Sequence, residues 1–208
     1  MKAIIFDLDG TLWDTSDIVV DKWNEVLSKK CNSLKMTKEI MASLMGKNKL
    51  QFIDDFFVGV EKQKAEELIN EIFALEQQHL KKYGGNMYEG VLKTLKMLKK
   101  NYKLMIVSNC QVGYLEAFRT CYNANEIFCD FECAGNTGLS KGENIKLVLK
   151  RKGVKKAIFV GDTKSDEIAA KEAGIPFVFA SYGFGEADNF DATINSFAEI
   201  KRIANELL

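Results

Sequence analysis

The chain has 208 residues, of which 47% are hydrophobic and 28% are charged, so it can bury a sizeable core as one domain or as a domain with a large insertion. Its 29 Lys and Arg residues balance 29 Asp and Glu residues, so no net charge attracts nucleic acid or an anionic membrane. The first apolar run ends at Asp7, too early for a secretory signal, and no run approaches the roughly 20 residues of a membrane span. We therefore expect a cytoplasmic protein that binds neither nucleic acid nor membranes.

Short apolar runs alternate along most of the chain with stretches of helical period, a pattern typical of parallel β/α units. The first run is AIIF at residues 3–6, and later runs occupy residues 103–107, 157–160 and 176–180. Each run ends in a polar or small residue. The pattern predicts an α/β fold built on a doubly wound parallel sheet.

Residues 15–83 interrupt this alternation, because they show helical period throughout and contain no convincing strand. Three apolar stripes at helical spacing lie within them. The simplest explanation is a helical insertion directly after the first strand. We therefore predict a core of residues 1–14 and 84–208, with an inserted domain of residues 15–83.

Asp7 and Asp9 stand at the end of the first apolar run and are followed by Gly10. Asp-Gly favours a hairpin turn, but the next residues form a helical stripe and not a partner strand. An EF-hand calcium loop with Gly10 at its sixth position would need ligands where Ile5 and Ser16 stand. The favoured interpretation places both carboxylates on the same side of a strand end. There a divalent cation would relieve their repulsion, and Mg²⁺ is the usual cation beside phosphates.

Polar residues also follow two later runs. Asp162 and Asp166 come after the third apolar run, Ser108 and Asn109 follow the second, and Lys141 lies in the segment between those two runs. Because parallel strands of one open sheet present their carboxyl ends at one edge, we expect these side chains to converge with the first acidic pair. The sequence predicts a site for an anion together with a metal.

These same residues resemble the motifs of a known family. The stretch from Asp7 to Thr11, the pair Ser108-Asn109, Lys141, and Gly-Asp-x-x-x-Asp at 161–166 are similar, in order and separation, to motifs one to four of the haloacid dehalogenase (HAD) superfamily. The resemblance covers the whole chain, and its helical insertion looks like the type-one cap of the phosphoglycolate phosphatase-like subfamily. It implies a Rossmann-like core with an all-helical cap.

The resemblance also implies catalytic roles for the acids. Asp7 would be the nucleophile that forms an aspartyl-phosphate, and Asp9 would be the general acid and base. Mg²⁺ would be held by Asp7, by the backbone carbonyl of Asp9 and by Asp162, with Asp166 as an additional ligand.

Substrate contacts follow from the resemblance in the same way. Ser108 and Lys141 would bind the phosphoryl oxygens, and Lys141 would offset the charge of the acids. Thr11 and Asn109 are further candidate substrate-binding residues.

Two lysines in the cap, Lys47 and Lys49, fall where related proteins have a loop that meets the substrate. They are candidates to bind a carboxylate or phosphate at the substrate's far end. The alternative is that both are ordinary solvated lysines.

Taken together, the resemblance implies a magnesium-dependent phosphatase acting on a small phosphorylated metabolite, with 2-phosphoglycolate as the nearest named substrate. Asp9 favours phosphoryl transfer over dehalogenation, since a halide leaving group needs no proton. A sugar phosphomutase with the same cap is the alternative, and Thr11 favours hydrolysis over it. A non-catalytic binding protein of this fold is a third hypothesis, and the assembly is expected to be a monomer or a homodimer.

Overall fold

The computed structural model describes all residues from 1 to 208. Its eight strands are β1 (Lys2–Phe6), β2 (Trp13–Asp14), β3 (Asn86–Met87), β4 (Lys103–Ser108), β5 (Asp130–Cys133), β6 (Lys156–Gly161), β7 (Phe177–Ala180) and β8 (Ala192–Ile194). Its ten α-helices are α1 (Ser16–Lys30), α2 (Lys38–Leu44), α3 (Lys49–Phe56), α4 (Lys62–Tyr83), α5 (Val91–Leu98), α6 (Tyr114–Cys121), α7 (Ala134–Thr137), α8 (Lys141–Arg151), α9 (Lys164–Ala173) and α10 (Ile200–Leu207). None of these helices combines the length and apolar character that crossing a membrane requires.

Six strands form one parallel sheet in the order β5-β4-β1-β6-β7-β8. Within it β1 lies between β4 and β6, with Ile4 paired to Leu104 on one side and to Ile158 on the other. A strand buried on both faces reads as a continuous apolar run, and AIIF is such a run. The predicted doubly wound parallel sheet is confirmed.

The strand β1 anchors the hydrophobic core on both faces of the sheet. Ile4 and Phe6 belong to a cluster of 29 buried residues on one face, whereas Ala3 and Ile5 belong to a cluster of 11 on the other. This division follows from the alternation of side chains along a strand. As a result, β1 is packed on both faces up to the residue that precedes Asp7.

The helices α1 to α4 form the cap, which has a hydrophobic cluster of its own with 15 buried residues. At its centre the ring of Trp23 meets that of Phe56 edge to face, with 5.1 Å between centroids. The chain enters the cap through β2 and leaves it through β3, and these two strands pair in antiparallel fashion, with Trp13 opposite Met87. The inserted helical cap is therefore confirmed. The domain limits of residues 1–14 with 84–208 and of residues 15–83 fall beside this ribbon and stay a prediction.

Truncating Phe6 tests the importance of the central strand. Phe6 is fully buried, and its ring lies 5.5 Å from that of Phe197 and 6.3 Å from that of Phe128. We expect Phe6→Ala to lower the free energy of unfolding by about 4 kcal/mol, because it leaves a cavity at the centre of the core. Urea unfolding followed by tryptophan fluorescence measures the loss. Phe190→Ala is the control, since Phe190 is 44% exposed and its truncation should cost less than about 1 kcal/mol. Equal losses in the two variants would contradict the assignment.

Candidate active site

Three neighbouring strands bring polar side chains to one edge of the sheet. Asp7 follows β1, Ser108 ends β4 and Asp162 follows β6. The backbone N–H of Asp7 still donates to the carbonyl of Val160 at 2.8 Å, so the ladder holds Asp7 in register as the strand ends. This is the edge at which open α/β sheets bind ligands.

The acids converge as one buried group. Asp7, Asp162 and Asp166 each offer a carboxylate oxygen, and these oxygens all lie within 4.8 Å of one another. Burial raises the pKa of Asp7 to about 7, although the nearby Lys141 acts in the opposite direction. Burial also raises the pKa of Asp162 well above its ordinary value, and the charges of Asp166 and Asp7 add to that shift. Oxygen ligands in such a crowded group suit a hard divalent cation.

Lys141 is the cation that faces this group. Its Nζ lies 2.9 Å from Asp7 Oδ1 and 2.7 Å from Asp166 Oδ1, and all three side chains are buried. Burial lowers the pKa of Lys141, but the charges of Asp166 and Asp7 outweigh it and raise the pKa above its ordinary value. The positive charge of one lysine therefore faces three carboxylates, and a further positive charge would be favourable among them.

Asp166 is held in place by the start of α9. Its Oδ2 accepts hydrogen bonds from the Thr163 hydroxyl at 2.7 Å and from the backbone N–H groups of Thr163 and Asp162 at 3.0 and 3.2 Å. This is the capping box expected where a helix begins. Because one oxygen is engaged there, the other is left to face Lys141.

Asp162 is held by Thr11 and by the backbone of the loop after β7. The Thr11 hydroxyl donates to Asp162 Oδ1 at 3.1 Å, and the Phe184 N–H donates to Oδ2 at 2.8 Å. Gly10 lies so close that a Cβ there would stand 2.1 Å from Asp162 Oδ2, and its φ of +79° also favours glycine. Thr11 is fully buried and does not line the cavity, and its contact with a substrate stays a prediction.

Asp9 has hydrogen-bond partners of its own. Its Oδ1 accepts hydrogen bonds from Tyr114 Oη at 2.7 Å, Trp13 Nε1 at 2.8 Å and Thr15 Oγ1 at 3.1 Å. Burial raises the pKa of Asp9, even though these three hydrogen bonds favour the ionised form. Asp9 lies outside the group of three acids, so metal coordination through its backbone carbonyl stays a prediction. Sequence reasoning missed Tyr114, because its position on α6 resembles that of a core residue.

A cavity of about 60 Å³ lies between the core and the cap. On the core side it is lined by Asp7, Asp9, Ser108, Asn109 and Lys141, all of them predicted site residues. Ser108 accepts a hydrogen bond from the Cys110 N–H at 3.3 Å, which leaves its hydroxyl hydrogen available to another acceptor.

Asn109 fastens the core to the cap. Its side-chain amide donates to the backbone carbonyl of Gly46 at 2.6 Å and to the Ser165 hydroxyl at 3.3 Å. A second link joins Gln77 Nε2 in α4 to the carbonyl of Val112 at 2.6 Å. The structure therefore shows the cap closed over the cavity.

The two cap lysines differ in position. Lys47 lines the cavity, and its Nζ forms an ion pair with Asp55 at 2.7 Å. Lys49 is the first residue of α3, where its Nζ donates to Asn70 Oδ1 at 2.6 Å. It lines an adjacent groove of about 540 Å³ and not the cavity itself, and its contact with a substrate stays a prediction.

Sequence reasoning also missed Glu76, which the cap places in the cavity wall. Glu76 is 2% exposed, and Trp23 Nε1 donates to its Oε1 at 2.7 Å. Burial raises the pKa of Glu76 to about 8. The available signal was an acid standing on the apolar stripe of α4, between Ile72 and Leu80.

Comparison with known proteins places this site in a family. A sequence profile described as "Haloacid dehalogenase-like hydrolase" matches residues 4–180. The phosphoglycolate phosphatase of Photorhabdus laumondii is 25% identical, over 96% of this chain and 91% of that protein. The pyrophosphatase PpaX of Bacillus velezensis is 28% identical, over 84% of this chain and 80% of that protein.

Solved structures agree on the fold. A haloacid dehalogenase-like family hydrolase from Streptococcus pneumoniae superposes with a TM-score of 0.83 at 21% identity, over 97% of each chain. Since the profile covers both the central sheet and the cap, this chain is a member of the haloacid dehalogenase-like hydrolase family.

Proposed function

We propose that this chain is a magnesium-dependent phosphatase that moves the phosphoryl group of a small phosphorylated metabolite first to Asp7 and then to water. The observation that carries this proposal is the buried group of Asp7, Asp162 and Asp166 with Lys141, at the base of a cavity whose wall also holds Asp9. The names of the curated relatives, phosphoglycolate phosphatase and pyrophosphatase, support this reaction class.

In the first step an Asp7 carboxylate oxygen attacks phosphorus, and the bond between phosphorus and the leaving oxygen breaks. Asp9 donates a proton to that oxygen, so that the product leaves as an alcohol. The raised pKa of Asp9 favours this role, because it makes the protonated form of the carboxyl easier to populate. Lys141 and the Ser108 hydroxyl bind the phosphoryl oxygens as charge moves.

In the second step Asp9, now ionised, accepts a proton from a water molecule that attacks the aspartyl-phosphate. Inorganic phosphate leaves, and Asp7 is regenerated as a carboxylate. The closed cap keeps other water away from the acyl phosphate between the two steps.

The three acids fit Mg²⁺, since their oxygens lie close together, are buried and face only one lysine. Asp7, Asp162 and Asp166 would hold the ion, together with the backbone carbonyl of Asp9. When bound, the ion supplies positive charge that offsets the phosphoryl oxygens and the clustered carboxylates.

The size of the cavity limits the leaving group. Pockets for drug-sized ligands measure about 300 to 1,000 Å³, whereas this cavity measures about 60 Å³ with the cap closed. A small metabolite fits this space better than a nucleotide or a phosphoprotein. Among small phosphates, 2-phosphoglycolate is the candidate that the relatives' names suggest, and Lys47 is the cavity cation that its carboxylate could approach.

Replacing the proposed nucleophile tests the covalent step. We expect Asp7→Asn to lower kcat for p-nitrophenyl phosphate by at least about 1,000-fold, because an amide cannot accept the phosphoryl group. Phosphate release is measured with Mg²⁺ and without any sugar bisphosphate. Acid quenching of the wild type with labelled substrate should trap phosphate on the protein, and the variant should trap none. Asp17→Asn is the matched control, since Asp17 is an exposed residue at the start of α1. Equal activity of Asp7→Asn and wild type would remove the nucleophile from the proposal.

Metal removal tests the proposed cation. We expect a chelator to abolish phosphate release and added Mg²⁺ to restore it, because the crowded carboxylates then regain their counter-charge. Asp162→Asn should raise the Mg²⁺ concentration that gives half-maximal activity by about tenfold or more. Asp188→Asn, on an exposed acid that pairs with Lys164, should leave that concentration unchanged. Full activity in excess chelator would contradict the metal site.

A further inference from the structure

Glu76 is an acid that the proposed reaction does not use, and it lies in the wall of the reaction cavity. The residue is 2% exposed and shares that wall with Asp7 and Asp9. Trp23 Nε1 donates to one of its oxygens at 2.7 Å, and Gln111 Nε2 lies 3.4 Å from the other. The second contact is at the long limit of a hydrogen bond, so Oε2 retains capacity for a better partner.

No cation pairs with Glu76. The two lysines that line the same cavity are engaged elsewhere, Lys47 with Asp55 at 2.7 Å and Lys141 with Asp7 and Asp166. The nearby acid Asp9 raises the pKa of Glu76, because a negative charge on Asp9 opposes ionisation of the Glu76 carboxyl. Buried acids without a cation are costly, and such groups cluster at functional sites.

A purely structural role does not require an acid at this position. The hydrogen bond from Trp23 needs only an acceptor, which the amide oxygen of a glutamine would provide without the cost of burying an ionisable group. The neighbouring wall is apolar, with Val19, Met41 and Phe73 lining the same cavity. A carboxyl in that wall is therefore best explained by contact with a molecule that binds in the cavity.

Building on the proposed phosphatase activity, we infer that Glu76 is a specificity-determining residue that accepts a hydrogen bond from the far end of the substrate. The preferred substrates would be small phosphomonoesters with a hydrogen-bond donor there, either a hydroxyl or an ammonium group. A carboxylate or a second phosphate at that end would be disfavoured.

The reason for this preference is the set of partners available in the cavity. A hydroxyl or ammonium group completes the hydrogen bonding of Oε2 as it becomes buried. An anionic group would enter a largely apolar wall in which the indole N–H of Trp23 already donates to Glu76 and the ammonium group of Lys47 is already paired with Asp55. Burying an anion without a partner is strongly unfavourable. The substrate would then differ from the 2-phosphoglycolate that the relatives' names suggest.

Three substrates of similar size that differ only at the far end test this inference. They are 2-hydroxyethyl phosphate, 2-aminoethyl phosphate and 2-phosphoglycolate, with p-nitrophenyl phosphate as the general reporter of activity. We expect wild-type kcat/KM for each of the first two to exceed that for 2-phosphoglycolate by about 10- to 100-fold, as for a site that pairs a polar group of its substrate. Glu76→Gln keeps an acceptor for Trp23 but adds a donor, and should reduce this preference by about tenfold.

The matched control is Glu71→Gln, the same change on an exposed residue of α4 that pairs with Lys30. It should leave the ranking of the substrates unchanged. Activity on p-nitrophenyl phosphate without the expected preference in the wild type would overturn the inference and leave the phosphatase standing, as would an unchanged ranking in a folded Glu76→Gln variant. If that variant does not fold, the wild-type ranking decides alone. Failure of the wild type to hydrolyse any of the four compounds would remove the phosphatase proposal and this inference with it.

Discussion

The site depends on the mutual repulsion of carboxylates that the fold buries together, and on the single lysine that faces them. Asp7, Asp162 and Asp166 lie within a few ångströms of one another, and Lys141 bridges two of them. Each acid has its own support: a central strand for Asp7, a helix start for Asp166, and the Thr11 hydroxyl for Asp162. Because these supports come from separate parts of the chain, the charges are held together only when the whole core is folded.

The cap covers the cavity with side chains that differ in polarity from those of the core. The core edge carries the acids, a hydroxyl, an amide and a lysine, whereas the cap contributes mainly apolar side chains, together with the buried Glu76 and with Lys47. Only a few hydrogen bonds join the two halves near the cavity, among them those from Asn109 and Gln77. Because so few hydrogen bonds join them, the cap can open and close over the core by movement around the ribbon of β2 and β3.

The central architecture was predictable because it depends on topology alone. Buried parallel strands read as apolar runs, and polar residues at their ends must meet at one edge, so the approach of Asp7 to Asp162 followed without knowledge of any side-chain direction. The strand β5 was missed because its sequence, Asp130-Phe-Glu-Cys133, carries two acids, which the structure pairs with Arg151. The strand β8 was missed because it is a three-residue edge strand.

Sequence reasoning could not give the contacts of side chains whose direction depends on tertiary neighbours. Thr11 belongs to the right motif, but its hydroxyl turns to a carboxylate that lies 151 residues later in the chain. Lys49 is close in sequence to the cavity loop, yet the start of α3 turns it towards Asn70. Glu76 was missed because an acid within an apolar helical stripe looks like an interruption of the pattern and not like a functional residue.

The division between core and cap explains how relatives with different named substrates can share one fold. In the proposed reaction the carboxylates and the lysine act on the phosphoryl group, which the substrates named for these relatives have in common, so the geometry of these side chains would have little freedom to vary. The far end of a bound substrate would face the cap side of the cavity, where a single buried group such as Glu76 would change which chemical groups can be desolvated. If Glu76 has the inferred role, its burial without a cation would lower the stability of the closed state, and a bound donor would offset that loss. Closure of the cap and recognition of the leaving group are in this way parts of one equilibrium.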